Sequence, residues 1–369
     1  MRVLISGGGT GGHIYPALSI IKEIKQQEPD SVFLYVGSSK GLEADIVPRE
    51  NIPFQSIEVS GFRRKLSLDN LKTIYRFIKS VRESKKMIRD FKPNIVIGTG
   101  GYVCGPVVFA AARLGIPTLI HEQNVIPGLT NKFLSRFSSA IAVSFEGSAS
   151  FFNHSTIEIT GNPRATEVAQ ASRKEGRASL NLPLTKKIIL IVGGSRGAKA
   201  INLAFLEMIN QLPKLKDCHF VYVTGDVHYN EIREQVEKKG ASIEQVTLKP
   251  FVYNMPDVLA ATDLIVNRAG ASFLAEITSL GIPSILIPSP YVTNNHQEKN
   301  ARWLEEKGAA KVILEKELNG DILYQSIAQL MQDENELKKM STASRQVGYP
   351  EAAHHIYQLM KKIVQNEKH

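Results

Sequence analysis

Four glycine-rich turns are the places where this sequence can do chemistry. The chain opens on a short apolar run, Val3-Leu4-Ile5, that enters Gly7-Gly8-Gly9-Thr10-Gly11-Gly12-His13. A glycine turn that opens a helix presents unpaired N–H groups and the positive end of the helix dipole, which favours a phosphate. His13 closes the turn, and imidazole titrates close to neutral pH, so it suits a proton-taking role. A second turn, Gly98-Thr99-Gly100-Gly101-Tyr102, offers another nest of N–H groups. The third is Gly193-Gly194-Ser195-Arg196-Gly197. In the fourth, Asn267-Arg268-Ala269-Gly270 leads into a helix beginning Ala271-Ser272-Phe273-Leu274-Ala275-Glu276, whose carboxylate can accept two vicinal ribose hydroxyls.

Two other chemistries compete for these turns. Gly7-x-Gly9-x-x-Gly12 formally matches the dinucleotide fingerprint of a NAD-dependent dehydrogenase. However, the acid expected after the second strand is missing, since Val32–Val36 runs into Gly37-Ser38-Ser39. Gly193 to Gly197 also fits G-x-S-x-G, the nucleophile elbow of a serine hydrolase, with Asp263 and His296 as conceivable partners. Against a hydrolase, that turn opens a second complete α/β half. The polar runs His121-Glu122-Gln123-Asn124 and Asn294-Asn295-His296-Gln297 suit a hydroxyl-rich ligand or an ordinary turn. With no Asp-x-Asp and no paired cysteines, no motif requires a metal, and no cofactor is expected. Cys104 and Cys218 alone give no disulfide framework, which points to a reducing compartment.

The turns need parallel strands to hold them. Continuous apolar runs such as Ile95–Ile97, Thr118–Ile120, Ile141–Val143, Ile188–Val192, Phe220–Val223, Leu264–Val266 and Ser284–Ile287 alternate with helical stretches. That pattern is the signature of doubly wound parallel sheets covered on both faces. The strand, glycine turn, helix order recurs half a chain apart, which predicts an α/β protein of two Rossmann-like domains, 1–162 and 163–349. A polar helix is expected from Ala165 to about Leu180. A last helix, within about 350–369, starts after Pro350 and is expected to pack back onto the first domain.

The 369 residues carry a net charge of +9 and a pI near 9.3, favouring an anionic partner. No apolar stretch is long enough for a spanning helix. Arg63 to Lys92 holds eleven Lys/Arg against Asp69, Glu83 and Asp90, with Leu68, Leu71, Ile74, Tyr75, Ile78 and Val81 at helical spacing. Such a helix either lies in an anionic membrane interface or turns its stripe to the core and its basic face to water.

Taken as a set and in order, Gly8–His13, Gly100-Gly101-Tyr102-Val103, His121–Asn124, Gly193–Ala198 and Ala271–Glu276 closely resemble the MurG family. These are the glycosyltransferases that add N-acetylglucosamine to lipid I in peptidoglycan synthesis. The resemblance implies a GT-B fold with its active site in the cleft between the domains, and inversion at the anomeric carbon without a metal. It implies that UDP-N-acetylglucosamine touches Thr10, Gly11, Gly12 and Asn124 in the first domain. In the second it implies contacts with Arg164, Ser195, Val252, Ala271, Ser272, Phe273, Leu274, Ala275, Glu276 and Gln297. Glu276 would hold the ribose, and Ser195 with its helix N-terminus the diphosphate. His13 becomes the candidate base, and Gly100, Gly101 and Tyr102 the candidate acceptor contacts. The implied partners are the donor, the lipid-linked muramoyl-pentapeptide and an anionic membrane surface via Arg63–Lys92 at the cytoplasmic face, not nucleic acid. The remaining rivals are a UDP-sugar epimerase or another lipid glycosyltransferase of the same fold.

Overall fold

The computed structural model describes residues 1–59, 68–194, 197–238 and 243–366, with side chains excepted at 68–72 and 243. The chain divides into two compact units, Met1–Arg164 with Glu351–His369, and Ala165–Pro350.

In the first unit seven strands form one parallel sheet: β1 Arg2–Gly7, β2 Val32–Ser38, β3 Phe54–Ile57, β4 Ile95–Gly100, β5 Thr118–Glu122, β6 Ala140–Val143 and β7 Ile157–Ile159. Their spatial order is β3-β2-β1-β4-β5-β6-β7. Apart from Arg2 at the start of β1, the central strands are buried along their length, as expected of a sheet covered on both faces. One core layer lies under helix Gly11–Gln27 and includes Val3, Ile5, Ile14, Ile20 and Tyr35. Helix Ala352–Asn366 completes that layer with Ile356, Leu359, Met360 and Ile363. The opposite layer includes Leu4, Val96, Val107, Val108 and Ile141.

The second unit repeats the plan with β8 Lys187–Val192, β9 Cys218–Val223, β10 Val246–Lys249, β11 Leu264–Asn267, β12 Ser284–Leu286 and β13 Ala310–Val312, ordered β10-β9-β8-β11-β12-β13. Ile189, Ile191, Phe205, Phe220, Tyr222 and Leu264 are among the residues of its core. The polar stretch after residue 164 is two short helices, Arg164–Val168 and Arg173–Ser179, rather than one. Ser172 caps the second by accepting from the Glu175 N–H, and such a cap starts a helix afresh.

In each sheet the strand order reverses between two neighbours, β1 and β4 in the first and β8 and β11 in the second. Connections leave these strands in opposite directions, opening a crevice beyond their carboxyl ends where ligands bind in doubly wound folds. All four glycine turns follow these four strands.

Candidate active site

In the first unit the turns after β1 and β4 lock together. The Gly8 N–H donates to the Gly100 carbonyl at 3.2 Å. Gly100 and Gly101 take φ of +108° and +86°. A Cβ at Gly101 would lie 2.3 Å from the Gly8 oxygen, so only glycine fits the approach. The His13 ring lies against Gly100, where an added Cβ would meet His13 Nε2 at 3.0 Å. From below, Thr99 Oγ1 donates to the His13 carbonyl at 2.8 Å.

His13 Nδ1 is 2.8 Å from the Gly8 carbonyl oxygen and 3.3 Å from Thr10 Oγ1. A carbonyl can only accept, so Nδ1 carries the proton and, in the neutral ring, Nε2 holds the lone pair. The ring is therefore set in the tautomer that a base acting through Nε2 needs. Thr10 is the extended N-cap of helix Gly11–Gln27, and its carbonyl accepts from Ile14. Thr10, Gly11, Gly12, His13, Gly100, Gly101 and Tyr102 thus gather at one switch point, with Tyr102 exposed.

The polar run that ends β5 and continues past it is mostly internal. His121 is fully buried, with Nε2 3.1 Å from the Gly161 carbonyl, and burial pushes its pKa down to about 4. Glu122 Oε1 accepts from the Asn124 N–H and side-chain amide, and Oε2 from the Gly128 N–H and Asn131 Nδ2. Both oxygens of that carboxylate are committed to shaping the loop, so Glu122 is not available as a base. Gln123 donates to the Thr99 carbonyl at 2.7 Å, tying this loop to the glycine turn. Asn124, half-buried, is the member of the run nearest solvent. Arg164, expected in the second domain, belongs to the first unit, where its guanidinium lies 5.5 Å over the Tyr15 ring.

In the second unit, Gly193 and Gly197 close the turn after β8, the Gly197 N–H donating to the Gly194 carbonyl at 2.9 Å. Ser195 lies outside the described residues. Gly270 caps helix Ala271–Leu280, and Glu276 is buried in its second turn. Val252 follows β10, buried beside the Phe251 and Tyr253 edge-to-face pair. Gln297 follows β12 and accepts from the Ser289 N–H through Oε1 at 2.9 Å. A cleft of about 580 Å³ runs past Gly193, Gly197, Arg268, Ser289 and Gln297. Arg268 beside it pairs with Glu315 at 2.5 Å and donates to the Ile287 carbonyl, two contacts not foreseen from sequence.

This geometry removes the hydrolase. Asp263 precedes β11, at the amino ends of the parallel strands, whereas the turn after β8 lies at their carboxyl ends. Its carboxylate accepts from the Ile188 N–H at 2.7 Å and from Arg173 at 2.8 Å. It removes the dehydrogenase too, because the acid that reaches the end of β2 is Glu43, fully buried and bonded to Ser38 and Gly9. Nothing in Gly41-Leu42-Glu43 marks that role in the sequence.

Two doubly wound sheets with glycine turns at both switch points make the GT-B fold, and the family comparisons make the chain a glycosyltransferase. The glycosyltransferase family 28 N-terminal domain matches residues 3–143 and its C-terminal domain residues 188–356, and the chain belongs to that family. A Bacillus cereus protein named UDP-N-acetylglucosamine--N-acetylmuramyl-(pentapeptide) pyrophosphoryl-undecaprenol N-acetylglucosamine transferase 1 is 57% identical over 364 residues, 99% of this chain and 100% of its own. A protein of the same name, without the final numeral, from Halalkalibacterium halodurans is 54% identical over 98% of this chain and 99% of its own. Among solved structures, Acinetobacter baumannii MurG matches with a TM-score of 0.80 and 30% identity, over 98% of this chain and 99% of its own. UDP-GlcNAc 2-epimerase from Neisseria meningitidis, at TM-score 0.69 and 17% identity over 98% and 100%, shares the fold alone.

Proposed function

We propose that this chain transfers N-acetylglucosamine from UDP-N-acetylglucosamine to the 4-hydroxyl of the muramic acid sugar of undecaprenyl-diphosphate-linked muramoyl-pentapeptide. Full-length relatives carry that activity in their names. The observation that carries the mechanism is the 2.8 Å contact of His13 Nδ1 with the Gly8 carbonyl at the switch point of the first sheet, which selects the Nδ1–H tautomer. In this reading the acceptor hydroxyl attacks the anomeric carbon while His13 Nε2 takes its proton, and UDP departs from the opposite face. Thr10, Gly11, Gly12, Asn124 and Arg164 contribute from the first unit. The helix N-terminus at Ala271 and the turn after β8 stabilise the charge gathering on the leaving diphosphate. Glu276 receives the ribose hydroxyls and Gln297 the donor sugar. The test is UDP release with and without the lipid-linked acceptor. Release only with acceptor is expected; epimerised donor without acceptor would overturn the reading in favour of an epimerase.

Glu276→Ala should raise the donor KM by roughly tenfold or more, since a charge-assisted bidentate bond is worth about 1.5–3 kcal/mol. An unchanged KM removes Glu276 from the ribose site.

The acceptor is lipid-linked, and we place the enzyme peripherally on the cytoplasmic membrane surface. No helix among the described residues is long and apolar enough to cross a membrane. Helix Leu68–Phe91 turns Thr73, Ser80, Ser84 and Ile88 inward, while Ile74, Tyr75 and Ile78 are 45%, 69% and 48% exposed. Ile74, Tyr75 and Ile78 thus face away from the core among Arg76, Lys79 and Arg82, whereas Val81 packs against it; residues 63–65 and the side chains of 68 and 71 lie outside the described residues. Next to it, Phe77, Phe109, Phe133 and Phe137 form a ring cluster with centroids 5.0–6.2 Å apart, partly exposed at Phe133 and Phe137. Sequence spacing does not group those rings, which come from three helices and, for Phe137, the turn after the last of them. Exposed apolar side chains set among cations support interfacial binding. The protein should sediment with anionic vesicles, and Ile78→Asp should weaken this about tenfold. Equal binding to neutral vesicles would count against it.

A further inference from the structure

We propose that Glu43 is the positioning residue of His13, acting through the single peptide group between Gly8 and Gly9. Glu43 Oε2 accepts from the Gly9 N–H at 2.9 Å, and the Gly8 carbonyl of that same peptide accepts from His13 Nδ1 at 2.8 Å. The result is a carboxylate–imidazole dyad with one amide inserted. In a direct dyad the carboxylate holds the ring's tautomer and stabilises the imidazolium that forms on proton transfer. Here the amide relays both effects, because a hydrogen bond accepted from its N–H polarises its C=O. The assignment rests on the reading of His13 as the base.

The carboxylate is built in. Its Oε1 accepts from the Ser38 N–H at 3.0 Å and Ser38 Oγ at 2.8 Å. A Cβ at Gly8, Gly37 or Gly41 would come within 2.3, 2.6 and 2.2 Å of its side chain, so three glycines make its cage. Burial works to raise the Glu43 pKa, yet the N–H groups of Gly9 and Ser38 bring it below the ordinary carboxylate value, so it is ionised. Its two buried titratable neighbours, Tyr35 and Cys104, are held neutral near pH 7. Tyr35 of β2 is buried and donates to the Gly7 carbonyl, and the Cys104 thiol, pushed up to about 12 by burial, donates to the Ser6 carbonyl. Tyr15 and Tyr102 are exposed, and Arg164 lies over the Tyr15 ring.

Three measurements test this. Ring ¹⁵N shifts of His13 in the wild-type protein should show the Nδ1–H tautomer; an Nε2–H ring overturns the proposal. Glu43→Gln should lower kcat by about 10–100-fold, the range for groups that orient a metal ligand from one shell out. The base must be unprotonated, so kcat rises with pH through its pKa. Loss of the carboxylate destabilises the imidazolium, and that limb should move to lower pH by roughly 0.5–1 unit, less than the 1–3 units of a direct contact. Glu43→Asp withdraws the charge from Gly9 by one methylene and should shift the limb the same way. Ser38→Ala, which leaves the Gly9 arm intact, should not. Finally, in a His13→Ala background Glu43→Gln should have almost no further effect on turnover. A stationary limb with a rate loss that persists in that background overturns the role of Glu43 while leaving His13 as base. A near-wild-type His13→Ala enzyme overturns the base reading itself. If Glu43→Gln does not fold, the tautomer and the Asp variant decide.

Discussion

Replacing His13 by alanine should lower turnover about 10²–10⁴-fold with the donor KM little changed, the usual range for loss of a general base. The magnitude follows from what the side chain does and does not hold up. Its ring accounts for the contacts of Nδ1 with the Gly8 carbonyl and Thr10 Oγ1. The turn itself is secured elsewhere, by Gly8 N–H on the Gly100 carbonyl and Gly9 N–H on Glu43. Removing the ring therefore leaves the fold standing. If His13 served only to brace the helix start, the mutant would lose roughly 0.5–2 kcal/mol of stability, as for a lost cap, and keep its rate. Single-turnover rate and thermal unfolding on one preparation separate the two outcomes.

The second large effect concerns stability. Glu122→Ala should destabilise the first unit by about 3–5 kcal/mol, because the buried Asn131 amide and three part-buried donors lose their acceptor together. At roughly 2–4 °C per kcal/mol for a unit of this size, the transition should fall by about 10 °C. Glu122→Gln should do nearly as badly, since its NH₂ would face two donors that need an acceptor. A melting point within 2 °C or so of wild type in both would refute this account of the loop.

The sheets were largely legible because their central strands are buried on both faces and so spell continuous apolar runs. The strands that escaped were β3, β10 and β13, each at a sheet edge. Phe54-Gln55-Ser56-Ile57 buries chiefly its last residue, and β13 has three residues, so neither offers a pattern. At the candidate site, the glycine turns and the place of His13 at the end of the first were readable because they are local in sequence. Glu43 and the saturation of Glu122 were not, because both depend on which N–H groups the folded chain brings around a carboxylate. The run His121–Asn124 reads in sequence as suited to a hydroxyl-rich ligand or an ordinary turn, and three of its four side chains are buried.

The return of helix Ala352–Asn366 to the first unit has a consequence for biogenesis. Its Ile356, Leu359, Met360 and Ile363 seal the layer over β1 and β4, so that layer stays uncovered on a ribosome until nearly all of the chain has emerged. Residues 165–350 are by then complete and enclose their own core. Vectorial synthesis thus lets the inserted unit fold while its host waits. An early stop codon after Pro350 would spare the second unit yet leave the unit bearing His13 as an aggregation-prone folding intermediate.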